Sequence, residues 1–157
     1  DVCIVDTRRG AVNNITEEIT FGSGLAMPAW RGTEIVVGNQ IVDRDGTVVG
    51  SLPASGRLSP DGERLAAVLD GQLAVLPRSG GEPAILTDDE AAKGFPVWSP
   101  AGDMIIYSVA PGNGRLYLHA VRADGTDSYR LVEQPVALGP DGPVDELTDY
   151  YGYNWAP

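Results

Sequence analysis

Apolar residues in this chain come in short runs, each broken by a turn rich in Gly, Asp, Ser or Pro, and the turns are of two kinds. The first kind stands in "AWRGTEIVVG" (29–38), "RLSPDGERLAAV" (57–68), "VWSPAGDMIIYSV" (97–109) and the truncated "YNWAP" (153–157). The second stands in "CIVDTRRGAVNNIT" (3–16), "IVDRDGTVVGSL" (41–52), "LAVLPRSGGEPAILT" (73–87) and "LYLHAVRADGTDSYRLV" (116–132). The two kinds alternate strictly. Their flanks carry β-branched and aromatic residues, and Gly sits at the bend, where a hairpin needs positive φ. Pro60 and Pro100 pre-set φ at the front of the first kind of turn. The pattern predicts a unit of four antiparallel strands: a, turn, b, c, turn, d. Helix is not written between them. "AVNNITEEIT" has no helical apolar stripe, and only "TDDEAAKG" (87–94) could form a helical turn.

Four antiparallel strands recurring about every 30–45 residues are the mark of a β-propeller blade. The units predict a partial blade at 1–16 (strands c and d), whole blades at 24–52, 54–87 and 94–133, and a lone strand a at 151–157. Trp98-Ser99-Pro100, Ser59-Pro60-Asp61-Gly62, Ala123-Asp124-Gly125 and Leu86-Thr87 carry a closer likeness. With them the chain resembles the TolB-like, WD40-like (PD40) propeller repeat. It departs from that repeat at Arg31-Gly32, where Ser-Pro-Asp-Gly would stand, at Ala101 in place of Asp, and at Leu58 in place of Trp. The resemblance implies an all-β propeller segment with a recognition role, typically in bacterial envelope proteins, hence periplasmic or extracellular. Similar propellers also gate the active site of prolyl-oligopeptidase-like serine peptidases, whose catalytic residues lie on a separate domain. A third reading is a structural subunit whose copies complete one another's blades.

Strand b is missing between the terminal pieces. Residues 1–16 and 151–157 are therefore expected to pair with polypeptide beyond these residues, as blades of a longer chain or another subunit. The chain starts at Asp1 without Met, which reads as processing or as a piece of something longer. At the core of the blades, Leu65, Val68, Leu73, Val75, Trp98, Ile105, Tyr107, Leu116 and Leu118 occupy recurring positions and are expected to pack between sheets.

Composition narrows the chemistry. Apolar residues make up 43% of 157, enough for a core, while 20 Gly and 12 Pro suit a turn-rich β protein. The formal charge of −11, with basic residues scattered, excludes a phosphate-binding face and hence nucleic acid. No apolar run is long enough for membrane insertion by a helix. Cys3 is the single cysteine, so no internal disulfide can form.

Catalytic and metal sites are not expected. His119, the only histidine, lies within a strand, and no G-x-S-x-G elbow accompanies it. Cys3 and His119 alone cannot make a zinc site. "DRDGT" (43–47) and "SPDGE" (59–63) read as turns, without the alternating ligands of a calcium loop. "GSG" and "GNG" lack the Lys-Ser/Thr of a phosphate loop, and no cofactor is implied. The "NIT" sequon at 14–16 lies in a predicted strand. Two connections exceed what a turn needs, "TDDEAAKGF" (87–95) and "EQPVALGPDGPVDELTDYYGY" (133–153). They bring acids and aromatics to the ends of strands, which makes Asp88, Asp89, Phe95, Tyr150 and Tyr151 the candidate residues for binding a protein or peptide. The expected function is a non-catalytic recognition scaffold within a larger propeller.

Overall fold

The structure, a computed structural model, describes residues 2–15, 28–112, 115–131 and 136–137. They fall into two compact units, 1–55 and 56–157. Every described element is a strand.

In the first unit, β1 (Cys3–Asp6) and β2 (Ala11–Asn14) form an antiparallel hairpin. A four-stranded antiparallel sheet follows in the order β3 (Ala29–Arg31), β4 (Glu34–Val37), β5 (Gln40–Val42) and β6 (Val48–Ser51). Ile35, Val37 and Val42 share one face of this sheet, as the period-2 side-chain alternation requires. Val2, Ile4 and Ile15 of the hairpin region pack on that face.

The second unit holds two more sheets of the same plan. One runs β7 (Gly56–Leu58), β8 (Arg64–Leu69), β9 (Gln72–Pro77), β10 (Ala84–Ile85). The next runs β11 (Ala92–Trp98), β12 (Met104–Ala110), β13 (Arg115–Arg122), β14 (Tyr129–Arg130). A short β15 (Val136–Ala137) pairs with Arg115 and Leu116, continuing along the edge of β13 that β14 begins. Residues 136–137, within the connection expected at 133–153, are thus strand, where the eight-residue β13 has edge groups left to pair beyond β14.

The two a–b turns of the second unit close around a serine hydroxyl. Ser59 Oγ accepts the N–H of Arg64 (3.0 Å) and donates to Asp61 (2.5 Å). Ser99 Oγ accepts the N–H of Met104 (3.1 Å) and donates to Asp103 (2.8 Å). Ala101 therefore costs the second turn nothing: its carboxylate comes from two residues further on. Gly62 and Gly102 take φ of 77° and 72°. The c–d turns use aspartate differently. Asp43 Oδ1 accepts the N–H groups of Asp45 and Thr47, both at 2.9 Å, so this carboxylate is occupied in shaping its own turn. Gly46 has no room for a side chain, since a Cβ would lie 2.7 Å from the Ile15 carbonyl oxygen.

The core of the second unit joins its two sheets. Ala66, Leu73 and Val75 of the first sheet meet Trp98, Ile105, Tyr107, Val109 and Val121 of the second. Trp98, 7% exposed, donates its indole N–H to the carbonyl of Arg57 at 2.8 Å. The Arg64 guanidinium lies 4.8 Å over the same ring and donates to the Gly102 carbonyl at 2.7 Å. Of the expected core, Leu65, Leu73, Val75, Trp98, Ile105, Tyr107 and Leu116 are buried. Val68 and Leu118 are only half-buried. The stretch at 87–94, the one that could have formed a helical turn, does not. Those residues bend and then enter β11, where pairing with β12 supplies the backbone partners a single helical turn would leave unmet.

Trp98→Ala should destabilise the protein by about 3–5 kcal/mol, the cost of emptying a buried aromatic site. Trp30→Ala, at the same strand position of the first unit but 55% exposed, should cost less than about 1 kcal/mol. Urea midpoints of the two variants check the contrast.

Candidate functional site

In the second unit, the d-to-a connection between β10 and β11 lies at the same end of the sheets as the Asp70-Gly71 turn between β8 and β9. Both residues of that turn have positive φ (48° and 81°), the geometry of a tight hairpin. Gln72, just after it, reaches across: its amide donates to the Asp89 carbonyl at 2.6 Å and accepts the Thr87 hydroxyl at 2.7 Å. Thr87 Oγ1 in turn accepts the N–H of Leu73 at 3.0 Å.

Lys93 completes the clasp from the other side. Its side chain is fully buried, though it carries a charge. An ammonium has three donors, and each finds an acceptor: Asp89 Oδ1 at 2.6 Å, the Ala91 carbonyl at 2.6 Å and the Asp89 carbonyl at 2.9 Å. That full satisfaction is what makes burial of the charge tolerable. Asp89 also caps the N–H of Ala91 at 2.8 Å. The hydrogen bond from Lys93 holds the Asp89 carboxyl below the usual carboxylate range, against an opposing effect of burial.

Phe95 stands two residues further on, in a bulge of β11 where the register with β12 shifts between Gly94 and Val97. Its φ of 50° is uncommon for an aromatic residue, and its side chain is 40% exposed. Pro96 follows and is buried; having no N–H, it suits the interrupted ladder. Ser108 Oγ donates to the Gly94 carbonyl at 3.1 Å, and a Cβ on Gly94 would sit 3.0 Å from that hydroxyl oxygen.

Behind the clasp, His119 on β13 lies opposite Tyr107 on β12, ring centroids 5.7 Å apart. Burial lowers the His119 pKa first, and the positive charge of Arg130 adds to it. Tyr107 contacts Ser128 at 3.4 Å, and burial raises its pKa. Among the described residues His119 has no hydrogen bond to a serine or carboxylate, so this cluster does not form a nucleophile–base pair.

The structure thus places three of the five candidate residues. Asp88 is exposed on the connection, Asp89 is engaged in the clasp with its side chain 59% exposed, and Phe95 is presented at the bulge. Tyr150 and Tyr151 lie outside the described residues. Sequence reading missed Lys93, Gln72 and Thr87. Lys93 stands four residues after Asp89, a spacing that signals an ion pair only on a helix, and here the pairing comes from a bend.

Asp89→Asn should lower stability at neutral pH by about 1–2 kcal/mol, a low value for losing a charged partner because the carboxylate is half in water. The wild-type pKa is depressed on folding, so this stability is present above the unfolded value near ~4 and is lost as pH falls through the folded value. Urea midpoints across that window should fall more steeply with acidification in the wild type than in Asp89→Asn.

No family model matches the chain. Over 82 residues it is 37% identical to the "Uncharacterized peptidase YuxL" of Bacillus subtilis (strain 168), a match that takes in 49% of this chain and 12% of that protein. TolB from Acinetobacter baumannii superposes with a TM-score of 0.61 at 25% identity, over 83% of this chain and 37% of that one. The "putative TolB" from Agrobacterium tumefaciens superposes with a TM-score of 0.51 at 20% identity, over 71% of this chain and 50% of that one. The chain spans half or less of the length of each of these three proteins. All-β, without a helix among the described residues and built of repeated four-stranded antiparallel sheets, the chain has the fold of a TolB-like β-propeller.

Proposed function

We propose that the chain is a non-catalytic scaffold, part of a larger propeller, that binds a protein or peptide on the face where the d-to-a connections lie. The observation that carries this reading is the clasped connection at 87–91. Gln72 and Lys93 hold its backbone from two sides, while Asp88 and Glu90 remain exposed. A loop fixed before binding gives up little conformational entropy when a partner arrives, so its exposed side chains contribute more of their contact energy to affinity. Asp88, Asp89 and Phe95 are the contact residues of this reading, joined by Tyr150 and Tyr151. A periplasmic or extracellular location accords with it.

The match to a peptidase-named protein favours a second reading, a propeller attached to a serine peptidase domain. In that reading the catalytic residues stand outside this chain, and a G-x-S-x-G elbow followed by Asp and His would be found in the same polypeptide.

Peptides selected on the wild-type chain from a displayed random library should bind the Asp88→Lys/Phe95→Ala variant at least about tenfold more weakly, a loss of roughly 1.4 kcal/mol. Equal binding by a variant that keeps the wild-type circular dichroism would remove the loop face from consideration. The purified chain should not hydrolyse peptide or ester substrates; hydrolysis abolished by His119→Ala would overturn the scaffold reading.

A further inference from the structure

An Asp-Gly pair carries a latent reaction. The glycine nitrogen attacks the aspartate Cγ, an N–Cγ bond forms, and the carboxyl OH leaves as water with the amide proton, closing a succinimide. Water then opens the ring. Attack at Cγ restores aspartate. Attack at the α-carbonyl breaks the original peptide C–N bond and leaves isoaspartate, whose main chain runs through Cβ and whose α-carboxylate hangs free. No further reactant is consumed. The reaction needs a carboxyl that is not held elsewhere and a glycine N–H that is not engaged as a donor.

The described residues hold this pair at 45–46, 61–62, 70–71 and 124–125. Three of the four are restrained. Asp61 accepts the Ser59 hydroxyl at 2.5 Å and the N–H of Glu63 at 3.0 Å, while the Gly62 N–H donates to the Ser59 carbonyl at 2.8 Å. Asp124 Oδ1 accepts the N–H and the hydroxyl of Thr126 at 3.0 and 2.7 Å, while the Gly125 N–H donates to the Arg122 carbonyl at 2.9 Å. The Gly46 N–H donates to the Asp43 carbonyl at 3.2 Å, and the Ile15 backbone walls that glycine in. Asp70-Gly71 differs in both respects. It is the two-residue tip of the hairpin that Leu69 and Gln72 close, and both residues are exposed. Among the described residues neither the Asp70 carboxyl nor the Gly71 N–H has a hydrogen bond. A Cβ on Gly71 would meet nothing within 4 Å.

We propose that Asp70-Gly71 is a site of isoaspartate formation in the folded protein, and that the modified turn unfastens the connection at 87–91 through Gln72. Isoaspartate adds one atom to the main chain of a two-residue loop, and loop length is what sets Leu69 opposite Gln72. Gln72 is the next residue after the turn. Its amide holds the Asp89 carbonyl and the Thr87 hydroxyl, and Thr87 in turn receives the Leu73 N–H. Displacing Gln72 leaves Lys93 to hold the connection alone. The turn is thus a slow covalent timer on the order of that connection, whatever the connection binds.

The test incubates the 157-residue chain at neutral pH and physiological temperature, folded and in urea. Isoaspartate is read by methyl transfer from S-adenosylmethionine with an isoaspartyl methyltransferase and located by peptide mapping. The map keeps apart Asn113-Gly114 and Asp141-Gly142, which lie outside the described residues. In the folded chain isoaspartate should accumulate at Asp70 at least about tenfold faster than at Asp45, Asp61 or Asp124, whereas in urea the four rates should agree within about threefold. Asp70→Glu, which needs a larger and slower-closing ring, should remove the signal from that peptide. Folded-state rates at Asp61 or Asp124 equal to that at Asp70 would overturn the proposal, as would no isoaspartate at Asp70 while the urea sample converts. The separated form carrying isoaspartate at this turn should exchange the Leu73 and Ala91 amide protons at least about tenfold faster than the unmodified chain, with the Ser99 amide unchanged. Equal exchange at Leu73 and Ala91, or lost protection at Ser99 as well, would refute the link from the turn to the connection.

Discussion

A single four-stranded sheet has two apolar faces and cannot cover either by itself. What this protein builds depends on how one sheet is joined to the next, and the described joint turns on Trp98. Its ring fills the space between two sheets, its indole N–H satisfies a carbonyl of the neighbouring strand a, and its π-face receives Arg64. Arg64 also ties its own turn to the following one through the Gly102 carbonyl. One aromatic and one guanidinium thus supply packing, a hydrogen bond, a cation–π contact and the turn-to-turn link.

The turns are what bring these two residues into range. In the second unit a serine hydroxyl closes both a–b turns and donates its hydrogen bond to a carboxylate. Asp61 accepts it from inside one turn, and Asp103 accepts it from the foot of the other. The turn tolerates the exchange because the requirement is an acceptor near the hydroxyl, not a particular sequence position. The c–d turns show the same economy of groups, with Asp43 and Asp124 accepting backbone N–H groups of their own loops. The Asp-Gly pairs here make turns.

At the opposite end of the sheets a buried charge does different work. Lys93 is enclosed where water cannot reach it, and its three donors converge on two residues of one connection. Breaking any of these bonds leaves a buried ammonium under-satisfied, so the connection is held in one conformation. Gln72 anchors the same backbone from strand c of its own sheet. The exposed acids of the connection and the aromatic at the β11 bulge therefore project from a fixed frame, the condition under which a surface recognises a partner with little ordering cost.

The order of turns and apolar runs was enough to determine that the protein is all-β, that its strands come in fours, and where Trp98, Ile105 and Tyr107 lie. Period-2 alternation and positive-φ glycines are local properties, and local physics writes them into the sequence. The tertiary structure decided the rest. Nothing along the chain marks Lys93 as the partner of Asp89, and only the bend at 89–91 brings the buried ammonium onto that carboxylate. Trp30 and Trp98 read as the same residue of the same repeat. One is buried and the other exposed because burial depends on what the neighbouring sheet places over the ring. A strand's sequence states which side chains face outward from a sheet; what covers them is a matter of long-range contact, and no pattern within the strand records it.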